Sequence, residues 1–167
     1  TRCYRFCRLL VHVAYAVLLM AFLYPRYSKA RKALSVKRWS LKLLEILNVR
    51  LTVKGDPPAA MPANSMLAAN HVSWLDIFIL YTQYYARFVA KVEMRKWPII
   101  GWLCVKTGTL FIERERRSDT ARTNQIINQV LRGGDCIAIF PEGTTADGTN
   151  LQAFHTSLLE PAVISQS

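Results

Sequence analysis

Between Leu9 and Tyr24 sixteen residues run apolar, broken only by His12. This run predicts a helix about 24 Å long, short of the roughly 30 Å hydrocarbon core of a bilayer. Pro25 breaks it. From there to about Leu47, Val36, Trp39, Leu43, Leu44 and Leu47 recur at helical spacing, with Lys37, Arg38 and Lys42 on other faces. A basic amphipathic helix following an apolar one reads as a membrane-docking pair. Packing of Trp39 on a core accounts for part of the same pattern.

Beyond residue 48 the period changes. Val49, Leu51 and Val53 alternate and predict a strand, ended by Gly55-Asp56-Pro57-Pro58. Four short apolar runs predict further strands: Met66 to Ala69, Arg87 to Ala90, Thr109 to Ile112 and Cys136 to Phe140. Helices are predicted from Ile77 to Tyr84 and from Pro98 to Lys106. Another starts at the cap Ser118, reaches Leu131 and closes on Gly133-Gly134, and a last one runs from Phe154 to Ile164. Strands alternating with helices imply an α/β domain over 48–167, a mixed, mostly parallel sheet covered by helices. Residues 1–47 form a separate N-terminal membrane-associated segment. No internal repeat or low-complexity stretch is present.

Charge sharpens the division. Residues 1–54 hold twelve Lys and Arg against the single acid Glu45, whereas residues 55–167 hold ten against ten, so the whole net charge of +11 lies beside the apolar run. Nucleic acid and anionic lipid both attract such a patch, and the apolar neighbour favours the membrane surface over nucleic acid. Arg2, Arg5 and Arg8 precede the run, and Arg26, Lys29, Arg31 and Lys32 follow it. Basic flanks on both sides place both ends in the cytoplasm, which disfavours a straight crossing. A helix dipping into one leaflet is expected, with a tilted span as the alternative. No small-residue cleavage site follows, which argues against a signal peptide. Cys3, Cys7, Cys104 and Cys136 form no C-x-x-C and have no His at metal-ligand spacing, so no metal site is expected and a reduced, cytosol-facing protein is. The chain begins without Met, and sequence upstream is expected.

The chemistry centres on Ala69-Asn70-His71-Val72-Ser73-Trp74-Leu75-Asp76. Five residues on one helix would set His71 and Asp76 about 140° apart, out of reach. With His71 in the turn after a strand and Asp76 in the first turn of the next helix, the carboxylate reaches the imidazole and fixes its tautomer. From this pair alone, a capped strand-to-helix turn with a solvated Asp and a structural His stands as an even alternative. Two more polar clusters follow predicted strands: Glu113-Arg114, and Pro141-Glu142-Gly143-Thr144-Thr145. Carboxyl ends of strands in an α/β sheet share one edge, where sites gather. A charge run such as Arg114, Arg116 and Arg117 is often only solvated, and Glu142-Gly143 is compatible with a plain turn. Three clusters at three equivalent positions point to a cleft.

These residues resemble the phospholipid glycerol acyltransferase family, the lysophosphatidic acid acyltransferase-like enzymes of bacterial lipid synthesis. N-H-x4-D is met by Asn70, His71 and Asp76, with Ser73 inside it. G-x-x-F-I-x-R is met from Gly108 to Arg114, and F-P-E-G-T by Phe140, Pro141, Glu142, Gly143 and Thr144. Order and spacing match over about residues 35–165. The family's last block, a Pro-containing strand, is missing, so a further C-terminal part is expected.

The resemblance implies acyl transfer from an acyl-CoA or acyl carrier protein thioester to a lysolipid hydroxyl at the cytoplasmic face of the inner membrane, with no cofactor. It assigns His71 as base and Asp76 as its orienting partner. Arg114, Glu142, Gly143, Thr144 and Thr145 would hold the acceptor, with Lys106 assisting. Members acting on lysophosphatidic acid commonly carry Arg directly after F-P-E-G-T, and Thr145 stands there. A less charged acceptor such as a lyso-ornithine lipid is therefore kept beside 1-acyl-sn-glycerol-3-phosphate. A serine hydrolase using Ser73 lacks the G-x-S-x-G elbow. A non-enzymatic lipid-surface module leaves the three polar clusters unexplained.

Overall fold

The computed structural model describes residues 2–59, 61–112, 117–156 and 159, with the side chains of 117–121 outside that description. It divides into two compact units, one of Thr1–Ala60 with Ile77–Tyr85 and one of Met61–Asp76 with Ala86–Ser167.

The first unit is helical. Helix α1 spans Arg2–Leu18, a π-helical turn Leu19–Leu23 and a 3-10 turn Tyr24–Arg26, and α2 spans Lys29–Leu47. The helical run is longer than its apolar stretch because Arg is a good helix former and charge alone ends no helix. Arg2–Arg26 is 25 residues, about 37 Å at the α-helical rise, and its most apolar 18-residue window has mean hydropathy 2.1. By length and composition alone it suffices to cross a membrane, although the apolar run inside it is still the sixteen residues from Leu9 to Tyr24. The break falls at Pro25 as expected. Ser28 caps α2 by accepting the Arg31 N–H, and Asn48 ends it in a left-handed conformation at φ 59°.

Between α1 and α2 the one polar residue of the apolar run is satisfied. His12 Nε2–H donates to the Trp39 carbonyl at 3.0 Å, Trp39 Nε1–H donates back to the His12 carbonyl at 3.2 Å, and the rings stack at 4.5 Å. Arg8 pairs with Glu45, which Lys42 also reaches. Ala16, Leu19, Val36, Leu43, Leu44 and Ile46 are buried, while Tyr4, Val11, Tyr15, Leu18 and Phe22 of the N-terminal helical run are exposed. The outward face of α1 is thus an apolar stripe at helical spacing. All of α3 (Leu75–Gln83) after Asp76 belongs to this unit, where Phe78 meets Trp39 and Tyr85, just after the helix, shares a 2.7 Å hydrogen bond with Tyr24. Val49 to Val53 form no strand; Leu51 and Val53 are exposed. Alternation makes a strand only where a neighbour offers hydrogen bonds.

The second unit holds a four-stranded sheet of β1 (Met66–Ala68), β2 (Arg87–Lys91), β3 (Leu110–Ile112) and β4 (Ile137–Ile139), in the order β1-β4-β2-β3. Every pairing among the described residues is parallel, in keeping with the mostly parallel sheet expected. Such strands read as continuous apolar runs because both faces are covered. Helix α4 (Ile100–Thr107) follows a 3-10 helix at Val92–Lys96, and α5 spans Arg117–Arg132. Ile127 and Leu131 of α5 pack on Val89, Ile112, Ile137 and Ile139 to form the core. Phe154 and His155 are not helical, and most of the predicted last helix lies outside the described residues.

Candidate active site

Strands β1 and β4 are parallel neighbours, with Met66 opposite Ile137 and Ala68 opposite Ile139. The chain leaving β1 at His71 therefore emerges beside the chain leaving β4 at Phe140, and two motifs about seventy residues apart meet at one sheet edge.

His71 sits in the turn and Asp76 in the first turn of α3, as the spacing required. His71 Nδ1–H donates to Asp76 Oδ2 at 2.9 Å. The same oxygen accepts the Val72 N–H at 2.7 Å and the Ser73 N–H at 2.8 Å. Ser73 Oγ in turn accepts the Leu75 N–H at 3.0 Å. Ser73 and Asp76 thus both cap the helix start, Ser73 Oγ on the Leu75 N–H and Asp76 on the Ser73 N–H. The capped turn and the oriented histidine, alternatives on sequence alone, coexist on one carboxylate.

The His71 ring lies on Phe140, with centroids 4.0 Å apart and planes 12° apart, and Phe140 stacks in turn on Phe88. The backbone of His71 is held at both ends by the second motif. Its N–H donates to Glu142 Oε2 at 3.2 Å, and its carbonyl accepts the Ala146 N–H at 2.7 Å. Glu142, expected at the acceptor, is only 4 % exposed and braces the histidine turn instead. No periodicity signals that brace, since it follows from β1 and β4 being adjacent. Pro141 is buried, and Gly143 at φ 73° closes the turn with its N–H on the Phe140 carbonyl. Asn70, Thr144 and Thr145 are exposed beside it.

Lys106 is not brought to this edge. It lies at the end of α4, just before Gly108 caps that helix at φ 82° and β3 begins. That is the amino-terminal edge, where Arg87 pairs with Asp135, and Lys106 stands over the Trp102 ring at 5.6 Å. Gly108 likewise serves the helix end; a Cβ there would touch Arg87. Arg114 lies outside the described residues, although β3 carries the chain toward the histidine edge. Among the described residues no cluster of metal-ligating side chains occurs.

This chain is 37 % identical over 121 residues to a 1-acyl-sn-glycerol-3-phosphate acyltransferase of Neisseria meningitidis serogroup B, an alignment covering 72 % of the chain and 47 % of the relative. A lyso-ornithine lipid O-acyltransferase of Pseudomonas aeruginosa is 39 % identical over 125 residues, covering 75 % of the chain and 47 % of the relative. The chain thus spans about half the length of the curated relatives it matches. Its fold is similar to the crystal structure of the 1-acyl-sn-glycerophosphate acyltransferase PlsC from Thermotoga maritima. The TM-score is 0.69 at 20 % identity, over 96 % of this chain and 71 % of that one. With residues 50–166 matching the Acyltransferase family over the same stretch that carries the His71–Asp76 pair, the chain belongs to that family.

Proposed function

We propose that this chain carries the catalytic centre of a lysolipid O-acyltransferase that uses acyl-CoA or acyl carrier protein as donor. The observation that carries the reading is the 2.9 Å bond from His71 Nδ1–H to Asp76, which leaves Nε2 as the basic nitrogen. Nε2 takes the proton of the acceptor hydroxyl as its oxygen attacks the thioester carbonyl. The resulting tetrahedral oxyanion collapses and expels the thiolate, which recovers the proton from the imidazolium. Asp76 stabilises that imidazolium, while Phe140 and the clamps from Glu142 and Ala146 hold the ring and its turn in place. The outward apolar stripe of α1 and its basic flanks dock the protein on the cytoplasmic leaflet of the inner membrane, where its lipid acceptor resides.

The first acceptor is 1-acyl-sn-glycerol-3-phosphate, giving phosphatidic acid, with Arg114 as the phosphate ligand. Thr145 favours a second reading. It is exposed next to the Glu142 turn and offers a hydroxyl where a guanidinium would offer charge and a fork of donors. A lyso-ornithine lipid suits that change. Purified protein is offered both acceptors with each acyl donor, as wild type and as Thr145→Arg. Faster use of lysophosphatidic acid by wild type upholds the first acceptor. Preference for lyso-ornithine lipid that Thr145→Arg reverses transfers the assignment to the second. No transfer to any lysolipid refutes the proposed activity.

A further inference from the structure

In the second unit, the segment joining β2 to β3 carries apolar side chains that the core does not take up. Trp97, Ile99 and Ile100 are 52, 54 and 48 % exposed, and Trp102 and Val105 extend the patch along α4. The backbone holds these side chains out. Ile99 has φ 61° and ψ −59°, a region that β-branched residues avoid. Around it the Ile100 N–H donates to the Pro98 carbonyl at 2.6 Å, the hydrogen bond of the rare, strained form of γ-turn. The neighbouring amides are anchored: Trp97 N–H on Met94, Gly101 N–H on Trp97 and Leu103 N–H on Ile99. Gly101 lets the start of α4 lie directly on the preceding 3-10 helix, because a Cβ there would collide with the Arg95 carbonyl oxygen. The result is a rigid apolar knuckle.

Exposed Lys91, Arg95, Lys96 and Lys106 flank it along the chain, against Glu93 as the one acid between residues 91 and 107, and Lys106 stands over the Trp102 ring. Tryptophan favours the headgroup level, aliphatic side chains the acyl boundary just beneath, and Lys and Arg the anionic phosphates. We infer that the knuckle from Trp97 to Trp102 inserts into the interface of an anionic bilayer, as a membrane contact separate from the apolar helix at the N-terminus. Strained backbone persists where function holds it, and here it keeps Ile99 turned away from the core.

The test uses the full chain on vesicles of brominated phosphatidylglycerol, which quench tryptophans at the acyl boundary. Replacing Trp97 and Trp102 together by Phe should cut the quenched share of emission at least by half. Ile99→Glu should weaken binding to anionic vesicles at least fivefold. Ile99→Gly should raise Tm by relieving the turn, yet weaken binding. Unchanged quenching after the Trp97 and Trp102 replacements overturns the inference, whether or not Ile99→Glu folds. So does wild-type vesicle affinity in Ile99→Gly, or a concentration-dependent self-association that Ile99→Glu abolishes while vesicle binding persists. The inference does not rest on acyl transfer, which the acceptor assay decides separately.

Discussion

Asp76→Asn separates what one carboxylate does for the fold from what it does for the reaction. The change keeps size and an acceptor oxygen and removes the charge. Three hydrogen bonds end on Oδ2, two from backbone amides and one from the imidazole. Bonds to a charged group are worth about 1.5–3 kcal/mol and neutral ones about 0.5–1.5, so the two amides together predict a stability loss of about 2 kcal/mol. For a chain of this size that lowers Tm by roughly 4–8 °C. On the proposed mechanism the third bond governs the rate. Without the charge the imidazolium loses its partner, and an Asn amide can select the wrong tautomer. General-base assistance contributes about 10²- to 10⁴-fold, so kcat should fall by about that factor, or about 3–5 kcal/mol of barrier, with KM little changed. Ser73→Ala is the comparison. It removes the bond to the Leu75 N–H, costs about 1 kcal/mol as a lost cap, and should slow transfer less than tenfold. Steady-state kinetics well below both Tm values, beside thermal melts, reads the two effects separately. Retention of more than a tenth of wild-type kcat by Asp76→Asn, or an equal loss in Ser73→Ala, refutes the orienting role.

His71→Ala should abolish transfer while circular dichroism stays that of wild type, because the turn is held through its backbone; activity above a tenth of wild type would sink the general-base assignment. Val11→Asp with Leu18→Asp, both on the exposed face of α1, should leave the fold intact and sharply weaken sedimentation with anionic liposomes. Deleting residues 1–47 is the poorer test, since it strips Phe78 and Tyr85 of their partners. Wild-type protein should stay on the liposomes in high salt, because the proposed docking inserts the apolar stripe into lipid and does not rest on charge alone. Clean extraction by salt would mean a purely electrostatic contact.

The parts legible in the sequence are those set by neighbours along the chain. Each apolar run from Met66 onward became the strand expected of it, and the spacing of His71 and Asp76 required the turn and helix start that are found. Misreadings came from features that need a distant partner. Val49 to Val53 alternate but have no strand beside them. Lys106 lies close in sequence to Gly108 and Arg114, yet a parallel strand separates its two ends, and only the topology says which end faces the site. Glu142 reads as an acidic residue beside a glycine turn, and its bond to the His71 amide exists because β4 inserts next to β1.

That bond joins residues 71 apart in sequence. Closing a loop of such length costs about 4 kcal/mol of chain entropy before any contact offsets it. The N-H-x4-D segment is local on paper, but its working geometry includes a long-range contact and is expected to form late, once β4 docks. A refolding chain should therefore gain its helical signal first and its acyl-transfer activity later. Activity should rise in step with exchange protection of the Ala69 amide, which bonds to the Ile139 carbonyl. Turnover then serves as a clock for the pairing of β1 with β4.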